Sequence, residues 1–312
     1  MPSETEQSPP AAGLGAGLGF AFAAYGWWGG MPIFFLLLEP SGPIEIVAWR
    51  VVLTLVVCVV LMTVTNGWRR LVAVVRDPRS TVTLGIGGAL ICVNWLVYVY
   101  ASVNGHVVEA AMGYFINPIV TVLLGVVVLR EKLRALQWVS IAVSVVAVIV
   151  LVIGYGQFPW IAIVLALSFG SYGLVKKRVA SNVDSLSGLA IETAWLAPIA
   201  CIALIVIAAT GGLTMGRLGG GHTALLLSAG VVTAVPLLLF ASAARRLPLA
   251  YVGLTQYVTP ILQFIIGVVF LHEAMPAARL VGFAIVWLAL ILLTVDLLRA
   301  SRRPRAGGLE LA

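Results

Sequence analysis

The 312 residues are 61% hydrophobic and 10% charged, with a mean hydropathy of +1.09; soluble domains carry roughly 25% charge, so a water-soluble globule is excluded. The net charge of +7 would suit nucleic acid if the basic residues formed one stripe. They stand instead in short clusters between apolar runs, which argues against that partner.

Residues 1–14, rich in Pro, Ser and Glu, read as a disordered cytoplasmic tail, with glutamates where a cleaved leader would be basic. Apolar runs of spanning length then fall at about 15–38, 44–64, 81–103, 107–129, 135–153, 159–176, 185–209, 223–244, 249–271 and 277–297, each near the roughly 20 residues a spanning helix needs. Backbone groups in lipid must bond internally, and these runs are too long for barrel strands, so helices are required. The expectation is an all-α polytopic membrane protein of ten transmembrane helices, closed by a basic cytoplasmic tail at 298–312.

Lys and Arg fall in alternate connections. One set holds Arg69, Arg70, Arg76 and Arg79, then Arg130, Lys132 and Arg134, then Lys176, Lys177 and Arg178, then Arg245 and Arg246, with Arg299, Arg302, Arg303 and Arg305 in the tail. The other set holds only Arg217 and Arg279. Because basic loops stay cytoplasmic, both termini are expected in the cytoplasm of a multi-pass protein. Cys58, Cys92 and Cys201 each lie inside an apolar run without CxxC or Cys/His spacing, so neither a metal site nor a disulfide framework is expected.

The two halves repeat. Asn117-Pro118 with Gly125, Leu129 and Glu131 recurs 142 residues later as Thr259-Pro260 with Gly267, Leu271 and Glu273. The same register pairs Ala48 with Ala190, Gly88 with Gly230, Leu96 with Leu238 and Ala101 with Ala243. The first spans need a further shift, with Tyr25-Gly26 matching Phe169-Gly170. Five spans per half is an odd number, so the second half enters from the opposite face and the repeats are inverted. In secondary transporters this architecture places the substrate between the halves near the midplane.

Polar residues inside the spans mark the candidate site. An ionised side chain deep in a span costs about 2.5–3.5 kcal/mol, so it usually faces a cavity or a partner. Arg50 and Glu192 occupy equivalent positions of the two repeats, each roughly 10 Å deep at about 1.5 Å per residue. Arg50 suits an anionic group, and Glu192 a cationic group or a coupling proton. The alternatives are a snorkelling arginine and a glutamate paired with a basic residue. Tyr114, Asn117 and Thr121 share a helix face, and their repeat mates Gln256, Thr259 and Gln263 share another. These stripes either line a common cavity or glue helices together. Asn94, Trp95 and Tyr98 in the third span and Tyr172 in the sixth add an aromatic wall, while Trp27 and Trp28 are expected to pack. Pro118 and Pro260 are expected to kink their helices, and Glu131 and Glu273, at span ends, to anchor loops.

Asn94-Trp95, the run Glu109-Ala110-Ala111-Met112-Gly113-Tyr114-Phe115-Ile116-Asn117-Pro118, then Arg130-Glu131-Lys132, Leu167 through Gly173 and Arg245 through Leu249 resemble the RarD group of EamA transporters in the drug/metabolite transporter superfamily. The resemblance runs from about residue 15 to 297. It implies two five-helix EamA repeats, 15–153 and 159–297, in a bacterial plasma (inner) membrane. It also implies transport of a small organic solute such as an amino acid, metabolite or drug, without settling which.

The resulting expectation is a secondary-active transporter, an exporter or permease, working by alternating access, with the lipid bilayer and a small molecule as partners and protons as one coupling option. Lipid flipping and a non-transporting scaffold are the alternatives. No cofactor, no metal and no enzyme activity are expected. No phosphate-binding GxxxxGK[ST], aspartyl dyad, Ser/His pair or HExxH occurs, and His106, His222 and His272 sit in loops or at span ends. The oligomeric state is left open.

Overall fold

The structure, a computed structural model, describes residues 11–129, 135–155, 158–179, 182–244, 246–247, 255–274 and 276–302. Among these the chain is all-helical. The helices are α1 (Ala11–Leu36), α2 (Pro43–Val64), α3 (Trp68–Val75), α4 (Pro78–Val103), α5 (Val107–Leu129), α6 (Ala135–Tyr155), α7 (Trp160–Val179), α8 (Ser185–Ala209), α9 (Gly220–Ala244), α10 (Val258–Ile265) and α11 (Ala277–Arg302). A π-helical turn, Ile266–Phe270, continues α10.

Local sequence explains where the helices start. Pro43 takes the first position of α2, where a missing N–H costs no helical bond. Asp77 caps α4, accepting from the backbone N–H of Arg79 at 3.2 Å and of Ser80 at 3.3 Å. The Ser80 hydroxyl also donates to Asp77 and is the main cause holding its carboxyl below the ordinary carboxylate value. Asp184 caps α8 through the Ser187 N–H. Among the described residues four helices, α2, α4, α8 and Gly220–Ala243 of α9, are long and apolar enough to cross a membrane. The burial pattern fits lipid as solvent. Ile199 and Ile205 are 68% and 67% exposed, while Arg50, Asn94 and Glu192 are buried. The protein is a multi-pass membrane protein.

Helix packing repeats with the halves exchanged. In the first half's terms, α4 packs on α7 and α8, and α5 packs on α7; reciprocally, α9 packs on α1 and α2, and α10 packs on α1. The equivalents α2 and α8 pack against each other, as do α6 and α11. Two repeat-related glycines permit close crossings among these. A methyl on Gly88 would stand 2.9 Å from the Glu192 carbonyl oxygen, and one on Gly230 would stand 2.6 Å from that of Leu53.

Two elements depart from the expected spans. The basic connection after α2 contains a short surface helix, α3, whose Val74 is buried with Leu84, Val179 and Ile191 while Arg69 and Arg70 stay exposed. Eight residues are too few to register as an apolar span. Pro260 falls in the first turn of α10, after the turn at Gln256-Tyr257, and not in mid-helix; there its missing N–H has no intrahelical partner to lose. Pro118 does fall inside its helix, α5, and prolines lie inside three further helices, Pro32 in α1, Pro198 in α8 and Pro236 in α9.

Candidate functional site

A cavity lies between the halves, holding about 540 Å³ of space free of protein atoms, part of it open to solvent. One face of α4 supplies Ile91, Asn94, Trp95 and Tyr98, and one face of α1 supplies Tyr25, Trp28 and Met31. Arg50 enters from α2 and Tyr114 from α5. The second half contributes Phe169 of α7, Leu237 of α9, Gln256, and Thr259 and Gln263 of α10. The spacings of three and four residues are those that align side chains on one side of a helix.

Arg50 is 3% exposed. Its Nε donates to Thr233 Oγ1 at 2.9 Å. Its guanidinium lies 4.6 Å from the centre of the Trp95 ring and 5.1 Å from that of Phe35, distances at which a ring face attracts a cation. Nη1 is buried without a hydrogen-bond partner. Among the described residues no carboxylate stands within ion-pair distance of Arg50; the pairs there are His106 with Glu109 and Lys176 with Glu192.

The neutral polar residues are mostly engaged across helices. Asn94 Nδ2 donates to Leu165 O at 3.2 Å and Ser168 Oγ at 3.1 Å, and its Oδ1 accepts from Tyr114 at 3.0 Å. Gln263 Nε2 donates to the Tyr98 hydroxyl at 2.7 Å and to Trp28 O at 3.4 Å. Thr259 donates to Tyr25 O at 2.7 Å. Two amide atoms of the lining remain unsatisfied, Gln256 Nε2 and Gln263 Oε1. Edge-to-face rings knit the walls, with Tyr98 against Tyr114 and Phe35, and Phe169 against Trp28 and Tyr114.

The cavity therefore gathers Arg50, Asn94, Trp95, Tyr98, Tyr114, Gln256, Thr259 and Gln263 from the sequence-level set and leaves out Asn117, Tyr172 and Glu192. Asn117 is buried in α5 away from the lining. Glu192 is 1% exposed, with Lys176 Nζ 2.6 Å from its Oε1 and the Tyr172 hydroxyl donating to its Oε2 at 3.2 Å. Pro118 falls within α5, but its side chain, like that of Thr121, is outside those the structure describes, as is Glu131 altogether. Glu273 accepts from the backbone N–H of Val107 at 2.7 Å and Val108 at 3.0 Å, so it holds the start of α5 to the end of the π turn.

Sequence reasoning missed Tyr25, Trp28, Met31, Ile91, Phe169 and Leu237 as lining, and Thr233 and Lys176 as partners. Trp28 lines the cavity, whereas Trp27 is 43% exposed and donates to Val232 O. A signal was present for two of these: Tyr25 and Phe169, matched between the halves, both face the cavity. For Lys176 the only hint was its place at the C-terminal end of the span that carries Tyr172.

Comparison with known proteins adds the family. Residues 15–153 and 159–295 each match the EamA-like transporter family. The chain is 46% identical over 306 residues to "Protein RarD" of Streptomyces exfoliatus, covering 98% of this chain and 94% of that one. It is 39% identical to "Protein RarD" of Escherichia coli K12 (92% and 96% covered) and 39% identical to an "Uncharacterized transporter" of Vibrio cholerae (93% and 95% covered). One solved crystal structure shares the fold with a TM-score of 0.61 at 17% identity, over 92% of this chain and 99% of that chain.

Proposed function

Because the chain belongs to the EamA-like transporter family, we propose that it is a secondary-active carrier that moves a small organic solute through the cavity between its halves by alternating access. In this reading the two halves are inverted five-helix repeats, 15–153 and 159–297, giving ten spans with both termini in the cytoplasm and the tails 1–14 and 298–312 beside them. The membrane is the bacterial plasma membrane. The cavity carries the reading: one space receives side chains from repeat-related helices, α1 with α7, α4 with α9, and α5 with α10. Helix contacts that recur with the halves exchanged support a rocking motion in which each crossing has a counterpart that opens as it closes.

Asn94, Trp95, Tyr98, Tyr114, Gln256, Thr259 and Gln263 form the binding wall with Arg50. Glu192 lies outside it, held by Lys176 and Tyr172. A proton arriving at Glu192 removes the charge that holds Lys176, which makes the pair the point where proton coupling acts on the packing of α7 against α8. Purified protein in liposomes, given pooled amino acids, metabolites and drugs with and without a pH gradient, tests this. Saturable flux that follows the gradient and disappears in Glu192→Gln is expected. Flux that ignores both the gradient and the variant removes Glu192 from coupling. Absence of solute flux with lipid movement between leaflets replaces the carrier reading by lipid flipping.

A further inference from the structure

The two buried charges differ in one respect that bears on the cargo: Glu192 has a cation beside it, and Arg50 has no carboxylate at ion-pair distance among the described residues. We infer that the solute is an organic monoanion whose carboxylate completes Arg50. The inference rests on the cavity being the solute site.

Three observations lead there. First, the described lining of the cavity contains no Asp or Glu, and the Glu192 carboxylate outside it is already occupied by Lys176. The unmatched charge in contact with the cavity is therefore positive. A buried guanidinium without a counter-ion is costly, and an anion arriving with the solute removes that cost. Second, the directions of approach are limited. Trp95 and Phe35 cover the guanidinium and Thr233 takes Nε, which leaves Nη1 without a partner. In-plane approach to the guanidinium edge is how a carboxylate binds arginine. Third, the rest of the wall suits a neutral body. Gln256 Nε2 offers a donor and Gln263 Oε1 an acceptor, set among the aromatic rings of Tyr25, Trp28 and Phe169. An amine finds no carboxylate among the lining residues and is repelled by Arg50, so organic cations are rejected and a zwitterion leaves its ammonium unmatched.

The test uses four probes that share one body: 3-phenylpropionate, phenylalanine, 3-phenylpropanol and 3-phenylpropylamine. Binding to the purified full-length protein is followed by tryptophan fluorescence, since Trp28 and Trp95 line the cavity, and by the shift in unfolding temperature. The expected order is phenylpropionate tightest, about tenfold or more over the alcohol, with the amine weakest. In Arg50→Gln the anion and the alcohol should bind alike, and in Arg50→Lys part of the preference should return, because charge is kept while the planar fork is lost. The wild-type series decides the matter even if Arg50→Gln fails to fold. Equal binding of anion and alcohol, a preference for the amine, tighter binding of phenylalanine than of phenylpropionate, or binding of none at millimolar concentration overturns the inference. Each of these leaves the carrier reading standing, because that depends on flux of any solute in liposomes.

Discussion

Arg50 on α2 and Glu192 on α8 stand at equivalent positions of two halves that pack together, and their surroundings have diverged. Around Glu192 the protein supplies a counter-charge and a hydroxyl, Lys176 at 2.6 Å and Tyr172 at 3.2 Å. Around Arg50, which is one of the residues lining the cavity, it supplies one neutral acceptor, Thr233, and two aromatic faces. Duplication places both residues at matching positions; the neighbours contributed by other helices give one a counter-charge and leave the other beside the cavity.

The comparison breaks most visibly at Lys176. The Lys176 side chain is 24% exposed but that of Glu192 only 2%, and leaving a buried charge without its partner costs up to about 3–5 kcal/mol, so Lys176→Met should lower the unfolding temperature in detergent more than any other change considered. The double variant Lys176→Met with Glu192→Gln should recover most of that loss. A single variant as stable as wild type would mean the pair contributes nothing to closure.

Next come the helix crossings that bring the two positions into place. Gly230→Ala sets a methyl 2.6 Å from the Leu53 backbone, beside the α2 segment that carries Arg50. Overpacking of this kind costs about 1–3 kcal/mol. Gly88→Ala meets the Glu192 carbonyl oxygen at 2.9 Å and should cost less. Thermal unfolding of the two variants side by side checks the order, and equal losses would show that the crossings are interchangeable.

The finest contrast is between the single neutral hydrogen bonds. Tyr172→Phe removes the donor to Glu192 and Thr233→Val the acceptor from Arg50; each deletion is worth about 1 kcal/mol. Tyr172→Phe should lower stability and leave phenylpropionate binding unchanged, whereas Thr233→Val should weaken phenylpropionate binding severalfold. Reversal of those two readouts would exchange the roles assigned to the two sites.

Much of the candidate site was legible in the sequence, for reasons that differ by residue. Arg50 and Glu192 stood out because an ionised side chain in an apolar run is expensive. Asn94, Trp95 and Tyr98 followed from helical spacing, as did the Gln256, Thr259 and Gln263 stripe. Asn117 shares a face with Tyr114, yet only Tyr114 reaches the cavity. Spacing places residues on one side of a helix but does not say how far along that side a neighbouring helix covers it. Trp28 was taken for packing because an aromatic ring among apolar residues carries no mark of which way its helix is turned. Lys176 sits at the end of a span within a basic cluster that reads as a topology signal, and nothing in that cluster tells that its long side chain reaches Glu192 on the next helix. The surface helix α3 was too short to see.

The sequence by itself determined that the chain is helical, apolar and duplicated, because spanning helices satisfy their backbone within one segment and so depend on local composition alone. It also determined which positions of the two halves correspond. Only the tertiary structure decided which buried charge is neutralised and which is left facing an open space. That outcome depends on contacts between helices far apart in the chain, where a few ångströms of packing separate an ion pair from an unfilled site.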